Sequence, residues 1–147
     1  MSPNPNKIKG SRWERELAEE LRTFAELSKR IPGSGALGTI VVDPRLTGDV
    51  VVKYKFLNKP FKIECKYGYG GSTQMTVKRA WMEKVSQEAE ANGSYPALAI
   101  KFRDVTTGHK SAKMICMTVE DWNRMMAEIS ELFEDYEEFW NWKYGED

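Results

Sequence analysis

Two carboxylates and an ammonium group are placed so that they could work together. In "PFKIECKY" (Pro60–Tyr67), the two-residue period of a strand sends Phe61, Ile63, Cys65 and Tyr67 to one face and Lys62, Glu64 and Lys66 to the other. Asp49 follows Gly48 at the start of the preceding apolar run, "DVVVKYKF" (Asp49–Phe56). If the two runs form a hairpin turning at Leu57-Asn58, Asp49 lies opposite Lys66 and diagonal to Glu64, with Cβ atoms about 7 Å apart on one face. A metal ion fits between such carboxylates. A register slipped by two residues separates them to roughly 13 Å, too far to share an ion, so this reading requires that turn or an equivalent bulge. Two plainer readings stand beside this one. Alternating charge marks any half-solvated antiparallel strand, and an Asp after Gly is an ordinary turn residue.

A third acid comes from the first helix. Trp13, Leu17, Leu21, Phe24 and Leu27 recur at helical spacing, so Arg12–Ser28 reads as a helix, with Ser11 as N-cap and Glu14 at the capping-box position. On the wheel Glu14 falls inside the apolar arc, beside Leu17, Ala18 and Leu21. A carboxylate aimed at a sheet needs a partner, and the capping role is the simpler alternative to a site role.

The remaining elements follow from pattern and punctuation. "RIPGSGALG" (Arg30–Gly38) is a glycine-rich loop, Thr39–Asp43 a short strand and Pro44–Gly48 a turn. Gly68–Gln74 links the hairpin to a second helix, Val77–Asn92, stopped by Gly93. "YPALAIKF" (Tyr95–Phe102) suits a central strand, and Lys113–Thr118 pairs with it across the loop Asp104–Ser111. Thr118 and Asp121 cap a last helix carrying Trp122, Met125, Met126, Ile129, Phe133, Tyr136 and Trp140 as one stripe. The order α-β-β-β-α-β-β-α describes an α/β chain with a central mixed sheet flanked by helices. Its 147 residues, 41% hydrophobic, suit one domain spanning 1–147, with 118–144 an acidic amphipathic helix.

Charge is divided along the chain. Residues 1–113 hold 20 Lys and Arg against 12 Asp and Glu, and residues 114–147 hold 2 against 10, accounting for the 22 of each in the whole. A basic body is the footprint of a phosphate-binding surface, though many ordinary surfaces are lysine-rich. There is no long apolar run and no apolar segment in Met1–Lys9, so neither a membrane span nor a signal peptide is expected, and the location expected is cytoplasmic. Cys65 and Cys116 fall in predicted strands without a CxxC pairing, which reads as buried reduced thiols rather than a disulfide or zinc framework. The lone histidine, His109, sits in a polar turn, so chemistries that need two histidines lack their residues. The segment "GSGALGT" (Gly33–Thr39) lacks the lysine of a P-loop.

Taken in order, Glu14, Gly48-Asp49 and "IECK" (Ile63–Lys66) resemble the PD-(D/E)xK nuclease superfamily. The details are similar to archaeal-type Holliday junction resolvases: "KGSRWERELAEELR" (Lys9–Arg22), "PGSG" (Pro32–Gly35) before the Asp, the E-x-K strand, and "YPALAIKF" after the second helix. Two features depart from that family, a longer segment between the Gly-Ser loop and Asp49 and the extended acidic C-terminal helix. The resemblance implies a restriction-endonuclease-like fold and hydrolysis of phosphodiesters with Mg2+, for which Mn2+ can substitute. It implies Asp49, Glu64, the backbone carbonyl of Cys65 and Glu14 as metal ligands, and Lys66 as the residue that orients the attacking water. Arg15, Ser34, Lys78 and Arg79 are the candidate phosphate contacts. The expected substrate is a four-way DNA junction, nicked in two symmetric strands by a homodimer. Flap, mismatch or restriction-type nucleases and a non-catalytic DNA-binding module of the same fold are the alternatives. The aromatic stripe of the last helix is the expected place for a partner, against folding back over its own sheet.

Overall fold

The computed structural model describes residues 5–31, 49–103 and 109–145. The expected strand Thr39–Asp43, the turn Pro44–Gly48, Ser34 and most of the loop Asp104–Ser111 lie outside them. Three helices and five strands are described: α1 (Pro5–Glu20), β1 (Ala25–Arg30), β2 (Val50–Tyr54), β3 (Phe61–Tyr67), α2 (Arg79–Asn92), β4 (Tyr95–Lys101), β5 (Lys113–Cys116) and α3 (Val119–Tyr144). The sheet runs in sequence order β1-β2-β3-β4-β5. Only β3 and β4 are parallel, joined by the α2 crossover that a parallel pair requires; the other neighbours are antiparallel. The sheet is therefore mixed and flanked by helices, as the pattern of elements predicts.

The first helix differs from the sequence reading at both ends. It begins at Pro5, so Ser11 and Glu14 lie inside it and no capping box forms. It stops at Glu20, and after one 3-10 turn at Leu21–Thr23 the chain reverses into β1. Phe24 and Leu27 continue the helical spacing, yet both are exposed, Phe24 at 83%. They were never part of a buried stripe. What decides the reversal is pairing with β2 and buried Ser28, whose hydroxyl donates to the Ala18 carbonyl at 2.6 Å and ties β1 to α1. Local periodicity loses to a tertiary contact.

The core lies mainly between one sheet face and α1. Trp13, Leu17 and Ala18 pack on Val50, Val52, Ile63, Ala97 and Ala99, with Met125 of α3 alongside. The Trp13 indole N–H donates to the Ala99 carbonyl across 3.1 Å, satisfying the polar atom of the largest buried side chain. On the other face α2 buries Val85 and Ala89. That second layer overturns the half-solvated reading of β3: Lys62 is 1% exposed and Glu64 8%. Charge on β3 is enclosed by protein.

The later elements sit close to their expected limits. Thr118 caps α3 by accepting from the Asp121 amide at 3.0 Å. Gly93 ends α2 in the left-handed region (φ 62°), its amide directed at the last carbonyls of the helix. Among the described residues no helix is long and apolar enough to cross a membrane. Space around Gly93 is open to an added Cβ, so Gly93→Ala should cost only the left-handed backbone penalty. That is about 1–2 kcal/mol, read as a lower midpoint in chemical denaturation with unchanged slope.

Candidate active site

The site gathers where the start of β2 meets the C-terminal half of β3. Pairing of Val50 with Ile63 and of Val52 with Phe61 fixes the register. Continued by one residue, it sets Asp49 level with Glu64 rather than opposite Lys66. The two-residue difference comes from the turn. Leu57 is not a solvent-facing tip but a core residue at 2% exposure, its amide bonded to the Tyr54 carbonyl. The shift brings the two carboxylates closer than the sequence reading placed them. The Asp49 amide donates to the Ile63 carbonyl at 3.2 Å, and its carboxylate accepts from the Cys65 amide at 2.7 Å.

Glu14 reaches the same place from α1. Arg30 Nε donates to Glu14 Oε2 at 2.6 Å, while the same guanidinium reaches the Ser11 hydroxyl at 3.1 Å. Burial holds the Glu14 carboxyl above its ordinary range; the Arg30 hydrogen bond opposes this and the nearby Asp49 charge adds to it. The Cys65 thiol reports all three acids. It is pushed far up by burial first, and then by Asp49, Glu14 and Glu64 in turn. Three carboxylates from three elements bear on one strand residue.

Lys66 and Lys84 supply the opposing charge. Lys66 Nζ lies 3.2 Å from Glu64 Oε1, and Lys84 of α2 approaches the same oxygen at 3.7 Å. Trp81 holds Lys66 from the other side, with the ammonium 4.7 Å from its ring centroid. Tyr69 meets Trp81 edge-on at 4.6 Å, so the two aromatics form a corner around the lysine. Beside it opens a cleft of about 260 Å³ lined by Lys66, Tyr69, Gly68 and Arg103. Gly68 has φ 75°, and a Cβ there would sit 3.0 Å from Arg103 Nε, so glycine leaves the guanidinium its place.

The phosphate-contact candidates are dispersed. Arg15 is exposed on α1, its Nε 3.4 Å from the Ser11 carbonyl. Lys78 is the N-cap residue of α2 and lies over Trp81 at 5.7 Å. Arg79 is 92% exposed and paired with Glu83. Sequence reasoning missed Arg30, Lys84, Trp81 and Tyr69. Trp81 and Lys84 are three residues apart near the start of α2, a spacing that puts both on the face toward β3, but no residue type marked that face. A larger cavity of about 370 Å³ at the start of β4, lined by Lys59, Tyr95, Asp121 and Arg124 among others, holds none of these carboxylates.

The donors are hard oxygens, which suit a hard divalent cation. Among the described residues no three carboxylate, imidazole or thiol side chains gather closely enough to hold an ion alone. Mg2+ asks for less, being held by one or two carboxylates completed by water and substrate phosphate. Asp49, Glu64 and the Cys65 carbonyl are the groups that could serve as such a set, with Glu14 engaged by Arg30.

A family model described as "Phage putative PDDEXK endonuclease" matches residues 5–142. The chain belongs to that endonuclease family. Nuclease function and the use of divalent metal ions general to PD-(D/E)xK enzymes come with membership. This PDDEXK endonuclease is also similar in structure to Hjc, a Holliday junction resolvase from Archaeoglobus fulgidus, with 18% identity, 78% of this chain and 98% of that chain covered, and a TM-score of 0.49. No curated protein matches it in sequence.

Cys65 provides a chemical test of this geometry. At pH 8 the folded endonuclease should alkylate at Cys65 far more slowly than at Cys116, whose thiol is raised by burial alone. Asp49→Asn combined with Glu64→Gln should speed Cys65 labelling, read by mass spectrometry of the modified peptides. Cys65 labelling left unchanged by those substitutions would contradict the clustering of charge, and equal labelling of the two cysteines in the unsubstituted protein would contradict the deeper burial of the Cys65 thiol.

Proposed function

We propose that this PDDEXK endonuclease is a magnesium-dependent, structure-selective DNA endonuclease of the junction-resolvase type, acting in the cytoplasm as a homodimer that nicks paired strands of a four-way junction. The observation that carries the catalytic part is Asp49 level with Glu64, with Lys66 two residues on and held on the same face. The junction part is supported by the ordered motifs from Lys9–Arg22 to Tyr95–Phe102 and by the basic body.

Each residue has a task set by its surroundings. Asp49 and Glu64, with the Cys65 carbonyl, hold the cation, and Glu14 completes the acidic cluster from α1. The cation, when bound, neutralises the scissile phosphate and provides hydroxide near neutral pH. The Cys65 amide holds the Asp49 carboxylate against β3 by one oxygen. Lys66 orients the attacking water and offsets the negative charge that grows on the phosphate. Glu64 and Trp81 restrict its ammonium to that position. Arg30 keeps Glu14 from adding an unbalanced charge beside Asp49. Arg15, Ser34, Lys78 and Arg79 contact phosphates outside the scissile one.

Asp49→Asn, Glu64→Gln and Lys66→Ala should each lower cleavage by roughly 100-fold or more, while junction binding in calcium persists or tightens for the acid variants. Near wild-type cleavage by Glu64→Gln in magnesium would remove the assignment. A labelled panel of four-way junction, flap, mismatch and linear duplex decides the substrate. Preference for linear duplex would point to the restriction-type alternative, and binding without cleavage of any of them to the non-catalytic module.

For recognition, Lys78→Ala or Arg79→Ala should weaken binding to all DNAs alike and reduce the salt slope by about one. Junction preference should survive, since it reports groove shape. A slope unchanged from wild type would return these residues to plain solvated charges.

A further inference from the structure

The last helix changes character at Ile129. Before it, Met125 is buried, Met126 and Ile129 pack on the core, and Glu128 is held by the Asn58 amide and the Tyr95 hydroxyl. From Ser130 to Gly145 every residue is exposed. That stretch is about 24 Å of helix that contributes no residue to the core among the described residues. Glu131 with Asp135 and Glu134 with Glu138 are like-charge pairs at i,i+4, which weaken a lone helix. A lone segment of this length is marginal in water even with favourable residues. Something must cover it.

The apolar spacing identifies the form of the cover. Trp122, Met126, Ile129, Phe133, Tyr136 and Trp140 follow one another at alternating steps of four and three, the 3.5-residue seam of helices that supercoil. The seam that rests on the body at Met126 and Ile129 thus runs on, on the same face, into the exposed part. There Phe133 (63% exposed), Tyr136 (58%) and Trp140 (49%) are joined by Leu132, Phe139 and Tyr144. Each of these six leaves roughly 100 Å² uncovered, so two copies face to face would bury on the order of 1,200–1,400 Å², the size of a specific interface.

We infer that residues 130–145 of α3 pair with the same segment of a second copy in an antiparallel, two-fold symmetric contact. This deepens the proposed homodimer by naming where it forms. Direction follows from the body's position. The body lies on the seam side at Met126 and Ile129, so in a parallel pair both bodies would occupy the one space between the helices. In an antiparallel pair centred between Tyr136 and Trp140, the partner helix ends where the first body begins. A two-fold contact of this kind is self-complementary and closed.

Sedimentation velocity on the full chain tests the inference. The wild-type chain should run as a dimer, and Phe133→Glu with Trp140→Glu should raise the dimer dissociation constant by at least about 100-fold. Met125, Met126 and Ile129, which hold α3 to the body, are left intact. A wild-type monomer throughout the micromolar range, or a double variant as dimeric as wild type, overturns the inference. Glu137→Cys supplies a second measurement that does not disturb the seam. Beside the two-fold axis, it should cross-link to itself under mild oxidation well above the wild-type background, whereas Asn123→Cys should not. No excess cross-link at position 137 overturns the antiparallel pairing, and this arm decides if the double variant fails to fold. Neither measurement needs nuclease activity: a catalytically silent dimer would refute the proposed function alone, and a monomer that resolves junctions would refute the interface alone.

Discussion

One hydrogen bond joins the parts of the site: the Cys65 amide donating to the Asp49 carboxylate. It holds the residue before β2 against the middle of β3, level with Glu64, and so converts two sequence-distant acids into one cluster. Everything else about the cluster is arranged around that contact. The backbone bond from the Asp49 amide to Ile63 sets the height of the approach, and Leu57 in the core fixes the register from the other end of the hairpin. A slip of two residues in the opposite sense would break the contact and move both carboxylates apart.

Such a concentration of negative charge beside a buried strand has to be offset nearby. Arg30 pairs with Glu14, and Lys66 and Lys84 approach Glu64. Only α2 makes the second pairing feasible. It covers the charged face of β3 and brings Trp81 over Lys66, lowering access of water to the pair and restricting where the ammonium can lie. The parallel β3-β4 pair is the structural reason α2 is there, since its crossover must pass over one face of the sheet. Topology and electrostatics therefore serve one another: the strand that carries the E-x-K residues is the strand next to the crossover.

The charge division of the chain acquires a spatial meaning in α3. Its first turns belong to the core and its later turns carry a large apolar stripe on one side and acids on the other. The same helix thus contributes to folding near Met125 and leaves its distal half for association.

The sequence by itself determined the site's residue types and the local elements with strong punctuation. Gly93 ends α2 because only a left-handed residue suits that cap, Thr118 starts α3 through its hydroxyl, and the β3 alternation separates Glu64 and Lys66 from Ile63 and Cys65. These depend on neighbours in the chain, and neighbours are legible. Tertiary structure decided the rest. Ala25–Arg30 became a strand against its helical spacing because β2 offered a ladder and Ala18 an acceptor for Ser28. The charged side of β3 became interior because α2 lies on it, and Arg30, Lys84 and Trp81 joined the cluster although 15 residues or more separate each from at least one group it serves. Periodicity records which side of an element is apolar; it carries no record of what the other side will meet, because that contact is made by residues distant along the chain.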